Sequence, residues 1–189
     1  MRESIRANVK DIANIRFGLH VVPIERGNIL YLQVRQFDEE GRWMPEEEEY
    51  ISYDEKSAEF LLKDGDVLFV GKGNRLFAWC YREEYGPAVA SSIFFVLRPK
   101  SSAIYPEYLA AVLNAPQSKS AFRQLGGGTN IFSIRKSELG ALEITVPPLK
   151  RQQQIVAFST GHAAEIRIAE EMIRQKKELY KIIMSKIIR

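Results

Sequence analysis

The chain has 189 residues, with 46% hydrophobic and 27% charged residues and 27 Lys and Arg against 24 Asp and Glu, a net charge of +3. That balance excludes a largely disordered protein, and the length allows one sizeable core, or one domain with an extended element, but not two ordinary enzyme domains. A single cysteine, Cys80, excludes a disulfide framework or a cysteine metal cluster within the chain.

The start, "MRESIRANVKDIANIRFG", alternates charged and apolar residues and lacks the apolar run of a signal peptide. No later segment approaches the ~18 apolar residues of a membrane span, so a cytoplasmic protein is expected. Residues 9–18 place Val9, Ile12, Ile15 and Phe17 at helical spacing and predict a short helix ending at Gly18. Residues 28–37, "NILYLQVRQF", alternate and predict a strand. Asp64-Gly65-Asp66 is a turn feeding the apolar run Val67 to Val70, which breaks at Gly71-Lys72-Gly73-Asn74: a strand, then a glycine loop. "RLFAWCY" and "AVASSIFFVLRP" predict two further strands, and Cys80 in the first reads as a buried structural thiol.

From Tyr105 the period changes. "YPEYLAAVLNAPQSKSAFRQL" puts Tyr108, Leu109, Val112 and Leu113 on one helical face, with Pro106 in the first turn and a break at Pro116. Ser133 or Ser137 is a candidate cap for a short helix ending near Gly140, and "LEITVPP" is a last strand closed by Pro147-Pro148. Residues 150–189 contain no proline and one glycine, Gly161. Heptad phasing lines up Ile155, Ile166, Ala169, Ile173, Tyr180, Ile183 and Ile187 on one seam, with His162 among its polar exceptions. So long a helix cannot bury its seam against a domain of this size, which predicts a partner helix. The fold class expected is α+β: a recognition domain over 1–149, built on a mixed or antiparallel sheet with short helices, followed by a long coiled-coil-type helix over 150–189.

Charge is unevenly placed. Residues 1–62 hold 8 Lys and Arg against 13 Asp and Glu, whereas 63–136 hold 10 against 5 and 150–189 hold 9 against 4. The middle and the C-terminal end are therefore basic, and the run Glu46 to Glu49 offsets them only in the total.

The triplet Gly126-Gly127-Gly128 is followed by Thr129-Asn130, not by the Lys-Ser or Lys-Thr of a phosphate loop, and it follows a helical segment, not the strand of a dinucleotide fingerprint. Glycines do permit close approach to a large partner, and Thr129, Asn130, Ser133, Arg135 and Lys136 are phosphate-contacting residue types. An unliganded turn reads the same residues equally well. His20 and His162 have no metal-like spacing to other ligands, Asp64 and Asp66 flank a turn glycine, and no nucleophile motif is present. Neither a catalytic constellation nor a metal site is expected.

The order of segments "DIANIRFG", "LKDGDVLFVGKGN", "SSIFFVLRP", "IYPEYLAAVLN" and "GGGTNIFSIRKSELGALEITVPPLKRQQQIV", then a terminal helix, resembles a target recognition domain with its spacer helix from the specificity subunit of type I restriction-modification systems. Lys150-Arg151 stand before Gln152 where that family usually has an acidic residue. Members usually carry two recognition domains and two helices that pair antiparallel. The resemblance implies a half-subunit that reads double-stranded DNA and pairs through Ile155 to Ile187 with a second copy or another such chain to address a bipartite site. It further implies methyltransferase subunits docked on the helices, with a restriction subunit able to join them. S-adenosylmethionine, ATP and magnesium are then expected only in those partners. Phosphate contacts would fall to Arg135 and Lys136 with Thr129, Asn130 and Ser133 as neutral donors, base reading to Lys72, Asn74 and Arg75, and Gly73, Gly127 and Gly128 would belong to the same DNA-binding surface. The competing expectation is a non-catalytic oligomeric scaffold that has lost base readout, a reading favoured by Glu46 to Glu49, whose carboxylates would repel phosphates.

Overall fold

The computed structural model describes residues 4–45, 48–125 and 132–188. Alternation at both the helical and the strand period near the start resolves as three short elements: β1 (Ile5–Asn8), the single turn α1 (Val9–Ile12) and β2 (Ala13–Phe17). The helix expected over 9–18 therefore stops after one turn. Ala13 takes extended dihedrals, and Ala13–Phe17 pair antiparallel with 95–99, which satisfies their backbone in a sheet instead.

Next come β3 (Ile29–Leu32), β4 (Tyr50–Ile51), α2 (Glu55–Phe60), β5 (Val67–Val70), β6 (Lys72–Gly73), β7 (Ala78–Cys80), β8 (Ala88–Ala90) and β9 (Phe94–Pro99). The strand expected over 28–37 ends at Leu32 and continues as a 3-10 turn, Val34–Gln36. The run 88–99 divides into two strands around Ser91, whose backbone lies so close to Gly18 that a Cβ there would stand 2.2 Å from the Ser91 carbonyl oxygen. The main sheet is antiparallel with order β2-β9-β5-β7, and a three-stranded mixed sheet, β4-β3-β8, pairs β3 and β8 in parallel. Phe69, Phe94, Phe95, Val67 and Leu97, fully or almost fully buried, form the core between the elements.

The chain then forms α3 (Pro106–Asn114), α4 (Pro116–Leu125), β10 (Phe132–Ser133), α5 (Lys136–Ala141), β11 (Glu143–Val146) and α6 (Leu149–Ile187). Pro106 starts α3, where its missing N–H costs nothing. Leu109 and Leu113 of α3 are completely buried, and the Asn114 amide bonds both the N–H and the carbonyl of Ala78, fastening the helix end to β7. Arg135, in extended conformation, precedes α5 in the place where Ser133 or Ser137 was expected, and its N–H donates to Glu138 Oε2 at 2.7 Å. Antiparallel pairing of β1 with β11 closes the domain beside the root of α6.

The turn into α6 is held by a side chain. Gln152 is fully buried; its Oε1 accepts from the Tyr105 N–H at 2.8 Å, and its Nε2 donates to the carbonyls of Ala103 (2.7 Å) and Pro147 (2.8 Å). Such satisfaction makes a buried amide tolerable and fixes the direction in which the helix leaves. Beyond it, α6 runs for 39 residues, about 58 Å at ~1.5 Å per residue. Ile166, Met172, Ile173, Leu179, Tyr180, Ile183 and Ile187 are exposed along it. The architecture is the expected α+β domain with a long C-terminal helix.

Candidate nucleic-acid interface

Two segments far apart in sequence meet at one edge of the domain. The β6 pair, Lys72 and Gly73, forms an antiparallel ladder with β10, so that Ser133 faces Lys72 and Phe132 faces Gly73. The Ile134 N–H donates to the Gly71 carbonyl at 2.8 Å and extends the pairing by one bond. Phe132 and Ile134 point into the core while Ser133 between them is exposed, as strand alternation requires. Two glycines make the loop possible: a Cβ on Gly71 would stand 2.4 Å from the Phe95 ring, and Gly73 has φ +132°, a region that side chains disfavour.

Lys72, Asn74, Ser133, Arg135 and Lys136 are all exposed at this edge or just beyond it. They are cationic, amide or hydroxyl donors that can face a polyanion without the desolvation cost of burial. Gly126, Gly127, Gly128, Thr129 and Asn130 lie outside the described residues.

Arg75 differs from its neighbours. Its Nη1 donates to the Phe37 carbonyl at 2.6 Å and its Nη2 to the Val34 carbonyl at 2.7 Å, so the guanidinium clamps the turn between β3 and β4 onto the loop. Next to that turn, Glu49 engages the side chains of Arg35 and Gln33, and Glu48 accepts from the Tyr50 hydroxyl. The described half of the acidic run is thus engaged within the domain, and Glu49 is compensated by a cation; Glu46 and Glu47 lie outside the described residues.

Asp66 is buried and takes a two-pronged bond from Arg98, at 2.7 Å from Nε and 2.6 Å from Nη2, as well as the Lys63 N–H at 2.9 Å. The bond to Asp66 raises the Arg98 pKa above its ordinary value. Asp64 pairs with Arg82 at 2.8 Å. Both aspartates flank the turn glycine before β5, and both are held by arginines distant in sequence. Among the described residues no three His, Cys, Asp or Glu side chains are grouped to hold a metal ion. Cys80, expected to be buried, is half-buried, and the desolvation pushes its thiol up to about 11. His162 stacks on Phe158 in α6, with ring planes 7° apart.

A sequence model of the family described as the type I restriction modification DNA specificity domain matches residues 8–176. The chain belongs to that family. No curated protein matches the sequence. Among solved structures, the specificity domain is similar to the HsdS subunit from Thermoanaerobacter tengcongensis, with a TM-score of 0.62 and 17% identity over 88% of this chain and 39% of that one. It is similar to a chain from a study of complex assembly and conformational transition of the type I R-M system, with a TM-score of 0.61 and 19% identity over 94% of this chain and 43% of that one. The S subunit of a type I system from M. genitalium aligns with a TM-score of 0.57 and 12% identity over 87% and 41%. At these identities the likeness is one of fold, and the specificity domain spans about two fifths of the length of each solved chain.

Gln152 is a residue whose role the sequence alone does not reveal. The available signal was a glutamine just past Pro147-Pro148 at a helix start, where carbonyls and N–H groups need partners. Among the described residues no helix is long and apolar enough to cross a membrane.

Proposed function

We propose that this specificity domain is a non-catalytic DNA-recognition subunit of a type I restriction-modification complex, reading one half of a bipartite site. The observation that carries the reading is the convergence of Lys72 with Ser133, which puts two separately identified donor segments on one exposed edge. Lys72 and Asn74 are the base readers, since an asparagine can hold adenine by two bonds and a lysine can reach guanine acceptors in the major groove. Ser133, Arg135 and Lys136 hold phosphates and set register, together with Thr129, Asn130 and the glycines of the adjoining segment. Arg75 supports the loop from below.

Through Ile155, Ile166, Ala169, Ile173, Tyr180, Ile183 and Ile187, α6 pairs with the helix of a second copy or of another chain of the same type. The exposed isoleucines support this, because water is a poor environment for so long an apolar stripe. Methyltransferase subunits, and a restriction subunit with them, assemble on the paired helices and bring the S-adenosylmethionine, ATP and magnesium chemistry. The test is selection from a random duplex library with the reconstituted methyltransferase complex. Enrichment of one bipartite motif is the expected result, and recovery of none would replace this reading with that of a scaffold lacking base readout.

A further inference from the structure

A groove of about 560 Å³ runs beside β2, the outer strand of the main sheet, and its charged lining consists of Lys10, Lys100 and Lys136. Its other polar side chains, Asn14 and Ser137, can both donate hydrogen bonds. Three distant segments supply the lysines: the start of α1, the residue after β9 and the first residue of α5. Gly140 stands where α5 meets α1 and β2: a Cβ there would lie 3.3 Å from Lys10 Cβ, a tight contact, and 3.6 Å from Ile15 Cδ1, an ordinary one.

Three ammonium groups lining one groove give it a positive potential that attracts an anion. Lys100 Nζ donates to the Lys10 carbonyl at 2.6 Å, which fixes its position and leaves its remaining N–H groups available. Of the neighbouring carboxylates, Glu138 turns back to the Arg135 N–H, and Asp11 is the one acid of α1. No carboxylate lines the groove among the described residues. The three lysines are exposed, so the site suits an extended anion laid along the surface and not a small one enclosed in a pocket.

We propose that the Lys10–Lys100–Lys136 groove is a second phosphate-holding site, gripping the sugar-phosphate backbone of the same duplex that the Lys72–Ser133 edge reads. The proposal rests on the DNA-recognition reading. Lys136 joins the two surfaces, since it follows Ser133 by three positions and also lines the groove. Lysines act here as mobile point charges without base preference, which assigns the groove to affinity and register and not to sequence choice.

The experiment measures binding of a random-sequence duplex by the full chain in its assembled form, by fluorescence anisotropy between about 50 and 200 mM KCl. The Lys10→Gln variant is expected to reduce the steepness of log affinity against log salt by roughly 0.9, and Lys10→Gln with Lys100→Gln by roughly 1.8. Lys56→Ala, in the acidic helix α2, is expected to leave the slope unchanged, and unaltered circular dichroism checks that each variant folds. If the wild-type protein binds and both lysine variants keep its slope, the groove holds no phosphate and the inference is overturned alone. If the wild-type protein binds no duplex under any of these conditions, the recognition reading falls with it.

Discussion

Lys72 and Ser133 are Cα partners in a two-residue antiparallel ladder, and this short pairing joins the glycine loop after β5 to the segment that opens α5. Its stability comes from below: Phe132 and Ile134 are buried on one side, and Arg75 ties the loop to the turn at 34–37 on the other. The Lys72, Asn74 and Ser133 side chains above are exposed.

That division of labour separates Arg75 from Lys72. Arg75→Ala removes two charge-assisted bonds, leaving the Phe37 carbonyl without its donor and the Val34 carbonyl with only the Phe37 N–H, so a loss of about 2–3 kcal/mol is expected in urea denaturation. Lys72→Ala is expected to leave stability within ~0.5 kcal/mol and to weaken DNA binding. Equal stability of the two variants would show that Arg75 is not a clamp.

Gln152→Ala strands the Tyr105 N–H and two carbonyls at the root of α6. A loss of about 2–4 kcal/mol is expected, seen as a melting temperature lower by roughly 5–15 °C for a chain of this size. Assembly through the helix is expected to weaken as well, because the helix would no longer leave the domain at a fixed angle. A melting temperature equal to that of the wild type would mean that Pro147-Pro148 alone sets the turn.

Ile173→Asp and Ile183→Asp each place a carboxylate in the proposed helix seam. Light scattering is expected to show a dimer, or a mixed assembly with another such chain, for the wild type and a monomer for either variant, with unchanged circular dichroism. A wild-type protein that stays monomeric at tens of micromolar in the presence of its partners would remove the pairing from the account.

Cys80 is half-buried at the end of β7. Burial raises its thiol from 9.0 to about 11, so at pH 8 the folded protein holds far less thiolate than an exposed cysteine, and iodoacetamide is expected to react about a hundredfold more slowly. The sign for stability follows: the unfolded thiol ionises first, so stability is lost as pH rises from about 9 towards 11. Rapid alkylation of the folded protein at pH 8 would contradict that burial.

Much of the fold was legible because its core strands announce themselves. Val67 to Val70 and the residues after Ser92 are continuous apolar runs between turn residues, and they are the central strands β5 and β9. The first seventeen residues were not legible, since Val9, Ile12, Ile15 and Phe17 fit a helix as well as edge strands, and pairing with β9 and β11 decides the matter from afar. The donor residues of the interface could be listed from their chemistry, but not their meeting, which depends on a ladder of two residues. Arg75 illustrates the limit: beside Asn74 it looks like a base-reading arginine, and only the carbonyls of Val34 and Phe37 reveal its other occupation.

The most direct measurement is amide hydrogen exchange of the assembled complex with and without the duplex recovered from library selection. Slowed exchange concentrated at 71–74 and 132–136 is the predicted result. Slowed exchange elsewhere on the domain, for example around the exposed Val22 and Ile24, with those two segments unchanged, would contradict the assignment of the Lys72–Ser133 edge as the face that meets DNA.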